Sequence, residues 1–96
     1  MSEPKMKKVT INHLLEMKAR DELIAALGVY DYPTASAADR LGFEILLTGP
    51  SGPMSLFGHR QVRSIKPEEM LVITKAVSRV EPKALLVASL PFMTYE

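Results

Sequence analysis

The sequence predicts an α/β fold in which parallel strands alternate with helices. Three observations predict it. Apolar stretches without polar alternation recur at 23–30, 43–48 and 84–88, the pattern of strands buried on both faces. Segments of helical character separate them. Helix-boundary residues, Thr10, Gly42 and Pro67, stand where those segments begin or end. Strands alternating with helices imply parallel pairing through right-handed crossovers.

The elements follow in order. Residues 1–8 are polar and read as a flexible N-terminus, where Lys5, Lys7 and Lys8 form a solvated basic cluster. The Thr10 hydroxyl suits a helix N-cap, with Val9 and Leu14 spaced as a hydrophobic staple across it. A short amphipathic helix over about 10–20 then lines one face with Ile11, Leu14 and Leu15, with Glu16, Lys18 and Arg20 away from it. The first strand, Leu23 to Tyr30, ends at Asp31-Tyr32-Pro33. Residues 34–41 form a helix of small side chains that lies close on a sheet, and Gly42 stops it. Phe43 to Thr48 is the second strand, and 49–66 is a loop. Pro67 suits the first position of a third helix, whose positive end Glu68 and Glu69 favour. Met70, Ile73, Val77 and Val80 recur at helical spacing, and Pro82 ends that helix. Ala84 to Ala88 is the third strand, followed by Ser89. Residues 9–96 read as one domain segment with no internal repeat.

Composition narrows the function. A chain of 96 residues with 47% hydrophobic and 24% charged content is of ordinary globular type. Twelve basic residues oppose 11 acidic ones, for a net charge of +1, which argues against nucleic-acid or anionic-membrane partners. With no cysteine, disulfides, thiol catalysis and thiolate metal sites are excluded. The basic N-terminus lacks the apolar core of a secretory signal, and no apolar run approaches the length of a membrane span. A cytoplasmic location is expected.

Three strands apolar on both faces need cover on both sides. Helices supply one layer. The second face calls for a closed barrel or for further helices, so an exposed apolar face, an open edge and self-association are expected.

Four stretches, "VTINHLLEMK" (9–18), "YDYPTA" (30–35), "EEMLVITKAV" (68–77) and "LPFMTYE" (90–96), resemble the N-terminal third of the ketopantoate hydroxymethyltransferase family. The resemblance runs over 6–96 without an obvious insertion. It implies a partial TIM-type (β/α)8 barrel, an N-terminal helix followed by about three βα units. It further implies hydroxymethyl transfer from 5,10-methylenetetrahydrofolate to 2-oxoisovalerate in pantothenate biosynthesis, by a homo-oligomer that uses magnesium. A hard divalent cation held by carboxylates stabilises the enolate of a 2-oxo acid. Barrel active sites lie at the C-terminal ends of strands.

In the family one metal-binding aspartate follows strand two in Gly-Asp-Ser-Leu-Gly-Met. Another follows strand three in Val-Ala-Asp-Leu-Pro-Phe. Here those segments read Gly49-Pro50-Ser51-Gly52-Pro53-Met54 and Val87-Ala88-Ser89-Leu90-Pro91-Phe92. Pro50 and Ser89 stand in the aspartate positions. The resemblance therefore implies substrate-binding roles for Ser51, Ser89 and Tyr30, but no catalytic residue, metal ligand or cofactor for this chain. Ser51, the Gly52 N–H and Ser89 remain as donors to an oxo acid.

Other candidates have plainer readings. The prolines and the missing lysine argue against a phosphate loop at 49–53. His13 reads as a surface or capping residue and His59 as a structural loop histidine, with no carboxylate at ligand spacing. Asp31 suits a helix start better than a catalytic acid. Asp39 with Arg40, and Glu68 with Glu69, read as solvated helix faces, and the methionines as core. Two functions remain open: a hydroxymethyltransferase segment inactive by itself, or a degenerate relative serving as an assembly or ligand-binding scaffold. A 2-oxo acid and further chain segments or further copies of the chain are the partners expected.

Overall fold

The computed structural model describes residues 8–89. The elements are α1 (Ile11–Ala19), β1 (Ala26–Gly28), α2 (Tyr32–Leu41), β2 (Ile45–Thr48), α3 (Ser51–Phe57), a 3-10 turn (Val62–Ser64), α4 (Pro67–Ser78) and β3 (Leu85–Ala88). The strands form one parallel sheet in the order β1-β2-β3. The expected alternation and pairing are both present. Of the basic cluster, Lys5 and Lys7 lie outside the described residues, as does the "LPFMTYE" segment, while Lys8 is not simply solvated, since its Nζ donates to the Pro82 and Ala84 carbonyls.

Local chemistry sets the helix ends. Thr10 accepts from the His13 N–H at 3.1 Å and starts α1. Asp31 accepts from the Thr34 N–H at 2.7 Å and starts α2 at Tyr32, two residues before the position the sequence suggests. Gly42, at φ 94°, ends α2 in the left-handed conformation that glycine adopts without penalty. Pro67 opens α4 as expected. That helix ends at Ser78 rather than at Pro82. Arg79 caps it, and Glu81 turns the chain at φ 53°.

Helices α2 and α4 cover one face of the sheet. Register aligns Leu27, Leu46 and Leu86 across the strands. This row packs with Val29, Ala35, Ala38, Val77 and Ala84 into the core. Small side chains at Ala35 and Ala38 bring α2 close to the strands, and Met70, Ile73 and Val77 turn the inner face of α4 inward.

The extent of the first strand and the loop reading of 49–66 need correction. The first strand is only three residues long, and Leu23 upstream of it is 94% exposed. Strands β2 and β3 are buried on one face and present the expected exposed apolar surface on the other, where Leu47 and Val87 are 38% and 39% exposed. An apolar run reports the character of both faces but not whether the same chain covers them. The apolar face of α1 is open at Ile11 and Leu15, and Met17 is its buried residue. Finally, 49–66 is not a plain loop, because it carries α3 and a 3-10 turn. Pro53 sits in the first turn of α3, where an N–H has no helical partner to lose.

Candidate functional site

Parallel strands place all their C-terminal ends at one end of the sheet. Tyr30 lies two residues beyond β1, Ser51 three beyond β2, and Ser89 directly beyond β3. The pairing continues past the strands: the Val29 N–H donates to the Leu47 carbonyl and the Ser89 N–H to the Thr48 carbonyl, each at 2.9 Å. Extending the register of Gly28 with Leu47 and of Thr48 with Ala88 puts Tyr30, Gly49 and Ser89 in one row. A Cβ on Gly49 would lie 4.0 Å from the Ser89 Oγ.

The loop after β2 folds into this row. Gly52 is buried, and a Cβ there would stand 3.0 Å from both the Tyr30 Cβ and the Ile73 Cδ1. Glycine is thus what lets α3 approach the end of β1 and the flank of α4. Behind the row, the buried Thr48 hydroxyl meets the Thr74 hydroxyl at 3.0 Å and ties the end of β2 to α4.

Donors at this end are fewer than the sequence suggests. The Gly52 N–H donates to the Gly49 carbonyl at 3.3 Å and is committed to the turn. Pro50 and Pro53 have none to offer. The Ser51 and Ser89 side chains are exposed and make no hydrogen bond among the described residues, while Tyr30 is half-buried. Asp31, next to Tyr30 in the chain, is spent as the N-cap of α2, in line with the helix-start role preferred for it.

Two polar groups have roles the sequence does not disclose. The Asp39 carboxylate accepts from the main-chain N–H groups of Ala84 at 2.9 Å and Lys83 at 3.1 Å. Its partners are 44 and 45 residues away, so no local pattern signals the contact. Glu69 is not a solvated face either. Both its oxygens lie 2.8 Å from the His59 Nε2, and one accepts from the Lys66 N–H at 2.9 Å. A carboxylate only accepts, so Nε2 carries the hydrogen. The His59 hydrogen bond first, and the Lys66 N–H second, hold the Glu69 carboxyl below its usual range. His59 remains structural, with a carboxylate partner that its sequence neighbours do not reveal. His13 is exposed, and its main-chain N–H is what Thr10 caps.

A cleft of about 230 Å³ lies at the opposite end of the sheet, lined in part by Val9, His13, Asp39, Phe43 and Lys83. Its polar groups serve the fold: Asp39 holds the start of β3, and Lys8 Nζ donates to the carbonyls of Pro82 at 3.0 Å and Ala84 at 2.9 Å. No helix among the described residues is long and apolar enough to cross a membrane.

Residues 8–96 match the family described as ketopantoate hydroxymethyltransferase. The chain is 44% identical over 90 residues to the 3-methyl-2-oxobutanoate hydroxymethyltransferase of Caldivirga maquilingensis, covering 94% of this chain and 34% of that protein. Its counterpart in Moorella thermoacetica is 42% identical over 89 residues, covering 93% and 33% respectively. That of Pyrobaculum calidifontis is 42% identical over 90 residues, covering 94% and 34%. The chain therefore spans about a third of the length of the curated relatives it matches. With its parallel βα units in the order seen above, and a match that extends over nearly every residue, the chain belongs to the ketopantoate hydroxymethyltransferase family.

Proposed function

We propose that residues 9–96 form the first part of a TIM-type (β/α)8 barrel, and that the ends of β1, β2 and β3 contribute to a site for a 2-oxo acid such as 3-methyl-2-oxobutanoate. Tyr30, Ser51 and Ser89 are its contact residues. The observation that carries this reading is the row across the strand ends, where Gly49 lies between Tyr30 and Ser89 and two exposed hydroxyls have no partner among the described residues. Hydroxyls, with the Ser51 main-chain N–H, suit the carboxylate and keto oxygens of such an acid.

The donor set does not fit the magnesium that the family implies. Hard divalent cations take anionic oxygens. Position 50 is proline, 51 and 89 are serine, and the nearby Asp31 is committed to capping. No three His, Asp or Glu side chains converge among the described residues. No step of the reaction is therefore assigned to a cation here. The chain by itself is expected to bind an oxo acid weakly and to transfer no hydroxymethyl group, so 5,10-methylenetetrahydrofolate is not assigned a site on it.

A titration of the ¹⁵N-labelled chain with 3-methyl-2-oxobutanoate tests this. Amide shifts centred on Ser51 and Ser89, reduced in Ser51→Ala with Ser89→Ala, are expected. Shifts absent from the strand ends at millimolar ligand would remove the proposal. Ketopantoate formed by the chain alone, with donor and magnesium supplied, would contradict its inactivity. The absence of carboxylates at 50 and 89 favours a second reading, a non-catalytic scaffold for assembly or ligand binding. For the assembly form of that reading, the expected result is association with further chain segments without any shift at Ser51.

A further inference from the structure

The ends of β2 and β3 carry no anionic side chain at positions 50 and 89, yet their backbone frame is regular. Strand pairing runs unbroken to the last residue of each strand, Thr48 with Ala88. One further hydrogen bond, from the Ser89 N–H to the Thr48 carbonyl at 2.9 Å, fixes the backbone beyond it. A Cβ on Gly49 would lie 4.0 Å from the Ser89 Oγ. Position 50 is the next residue along. Gly49 stands beside Ser89 in the extended register, so positions 50 and 89 lie at the same end of the sheet, one residue apart in register.

Proline does not hold position 50 in a conformation reserved for it. Its φ of −67° and ψ of −16° fall in the right-handed helical region, open to any L-residue. Its carbonyl accepts from the Met54 N–H at 3.1 Å, a bond independent of the side chain. Ser89 is exposed and Pro50 partly so, so neither is locked into the core.

We propose that the β2–β3 end is a divalent-cation site disarmed by side-chain chemistry alone. The chain as it stands does not hold magnesium or manganese there. Two substitutions, Pro50→Asp and Ser89→Asp, are sufficient to create binding on an unchanged backbone. The choice of cation follows from the family reading above. The claim about the frame is independent of any oxo acid, so the two fail separately.

The test is a Mn²⁺ titration followed by electron paramagnetic resonance, with Mg²⁺ as competitor, on the 96-residue chain. Manganese shares the preference of magnesium for octahedral oxygen ligands and reports free and bound ion directly. The variants are Pro50→Asp/Ser89→Asp, each single aspartate, and Pro50→Asn/Ser89→Asn as a neutral control. Hard-cation affinity follows ligand charge count, so the double aspartate is expected to bind one Mn²⁺ at least on the order of tenfold more tightly than the unaltered chain or the asparagine control. Mg²⁺ should displace it. Circular dichroism should superimpose on that of the unaltered chain. Stoichiometric Mn²⁺ binding by the unaltered chain, lost in Ser89→Ala, overturns the proposal. So does a folded double aspartate that binds no better than the asparagine control. A double aspartate that loses its helical spectrum while the asparagine control keeps it also overturns it, because an unchanged frame is the claim.

Discussion

The carboxylate of Asp39, near the end of α2, accepts the main-chain N–H of Ala84 at the start of β3, 2.9 Å away. Its other oxygen accepts the Lys83 N–H. One side chain thus joins the first βα unit to the third strand, while the Glu44 carbonyl accepts from the Leu85 N–H beside it. Asp39→Ala would leave two N–H groups unpaired where Ala84 is buried. A buried unsatisfied donor costs about 1–3 kcal/mol. In a domain of this size that lowers the thermal midpoint by roughly 5–20 °C. Thermal denaturation followed by circular dichroism checks it, with Arg40→Ala, on the exposed neighbour, expected to change little.

Gly52→Ala sets two effects against each other. Alanine gains roughly 1 kcal/mol over glycine in a helix interior, and less in a first turn. The new Cβ would stand 3.0 Å from the Tyr30 Cβ and the Ile73 Cδ1. Ile73 can swing its terminal methyl aside, but the Tyr30 Cβ moves only with its backbone. Overpacking of this kind costs about 1–3 kcal/mol. Net destabilisation of about 1 kcal/mol is therefore expected in urea denaturation. A stabilised Gly52→Ala variant would show that α3 does not press on Tyr30.

These two sites mark what was legible in the sequence. Thr10, Asp31, Gly42 and Pro67 could be assigned because each acts on main-chain groups within a few residues of itself. Tyr30, Ser51 and Ser89 were singled out through the family resemblance, and parallel topology places all three just beyond the strand ends. Asp39 and Glu69 looked like solvated charges because their partners lie across the fold or across a loop. Helix α3 was hidden because Gly-Pro-Ser-Gly-Pro has the composition of a turn. The Gly52 N–H passed for a free donor because its use depends on how tightly that loop closes.

The Thr48–Thr74 contact predicts a coupling. Thr48→Val alone keeps the shape of the side chain but leaves the Thr74 hydroxyl without its partner in a half-buried place. Removing both hydroxyls leaves nothing unpaired. Each single valine is expected to cost about 1–2 kcal/mol, and the double variant less than their sum by about 1 kcal/mol. A double-mutant cycle in urea measures this. Strict additivity would mean that the two hydroxyls do not bond in solution.

Glu69 makes stability depend on acid. Its carboxyl is held below its usual range by the His59 hydrogen bond and the Lys66 N–H. A carboxyl depressed in the folded state contributes stability above its unfolded value, near 4.3, and loses it as pH falls through the folded value. The thermal midpoint of the unaltered chain should therefore fall more steeply between about pH 5 and pH 3 than that of Glu69→Gln. At neutral pH Glu69→Gln should be the less stable of the two. His59→Ala should remove the larger part of the difference, because His59 is the leading cause of the shift.

Leu46 and Leu47 are adjacent in β2 but face opposite ways, one fully buried and one 38% exposed. Leu46→Ala empties a packed position and is expected to cost about 2–5 kcal/mol. Leu47→Lys changes an open surface and should stay within about 0.5 kcal/mol. The open face is more informative for association. Ala26, Ile45, Leu47, Leu85 and Val87 form an uncharged patch across the three strands. Strand spacing and rise put its extent on the order of 200 Å². A stable interface needs roughly 800 Å² per partner. Two copies stacked on this face alone would therefore associate only weakly and with strong concentration dependence. Sedimentation velocity on a dilution series should show that behaviour for the unaltered chain, and a monomer throughout for Leu47→Lys with Val87→Lys. A tight dimer unaffected by these lysines would place the contact elsewhere, on the exposed Ile11 and Leu15 of α1 or the outer Leu71 and Val72 of α4.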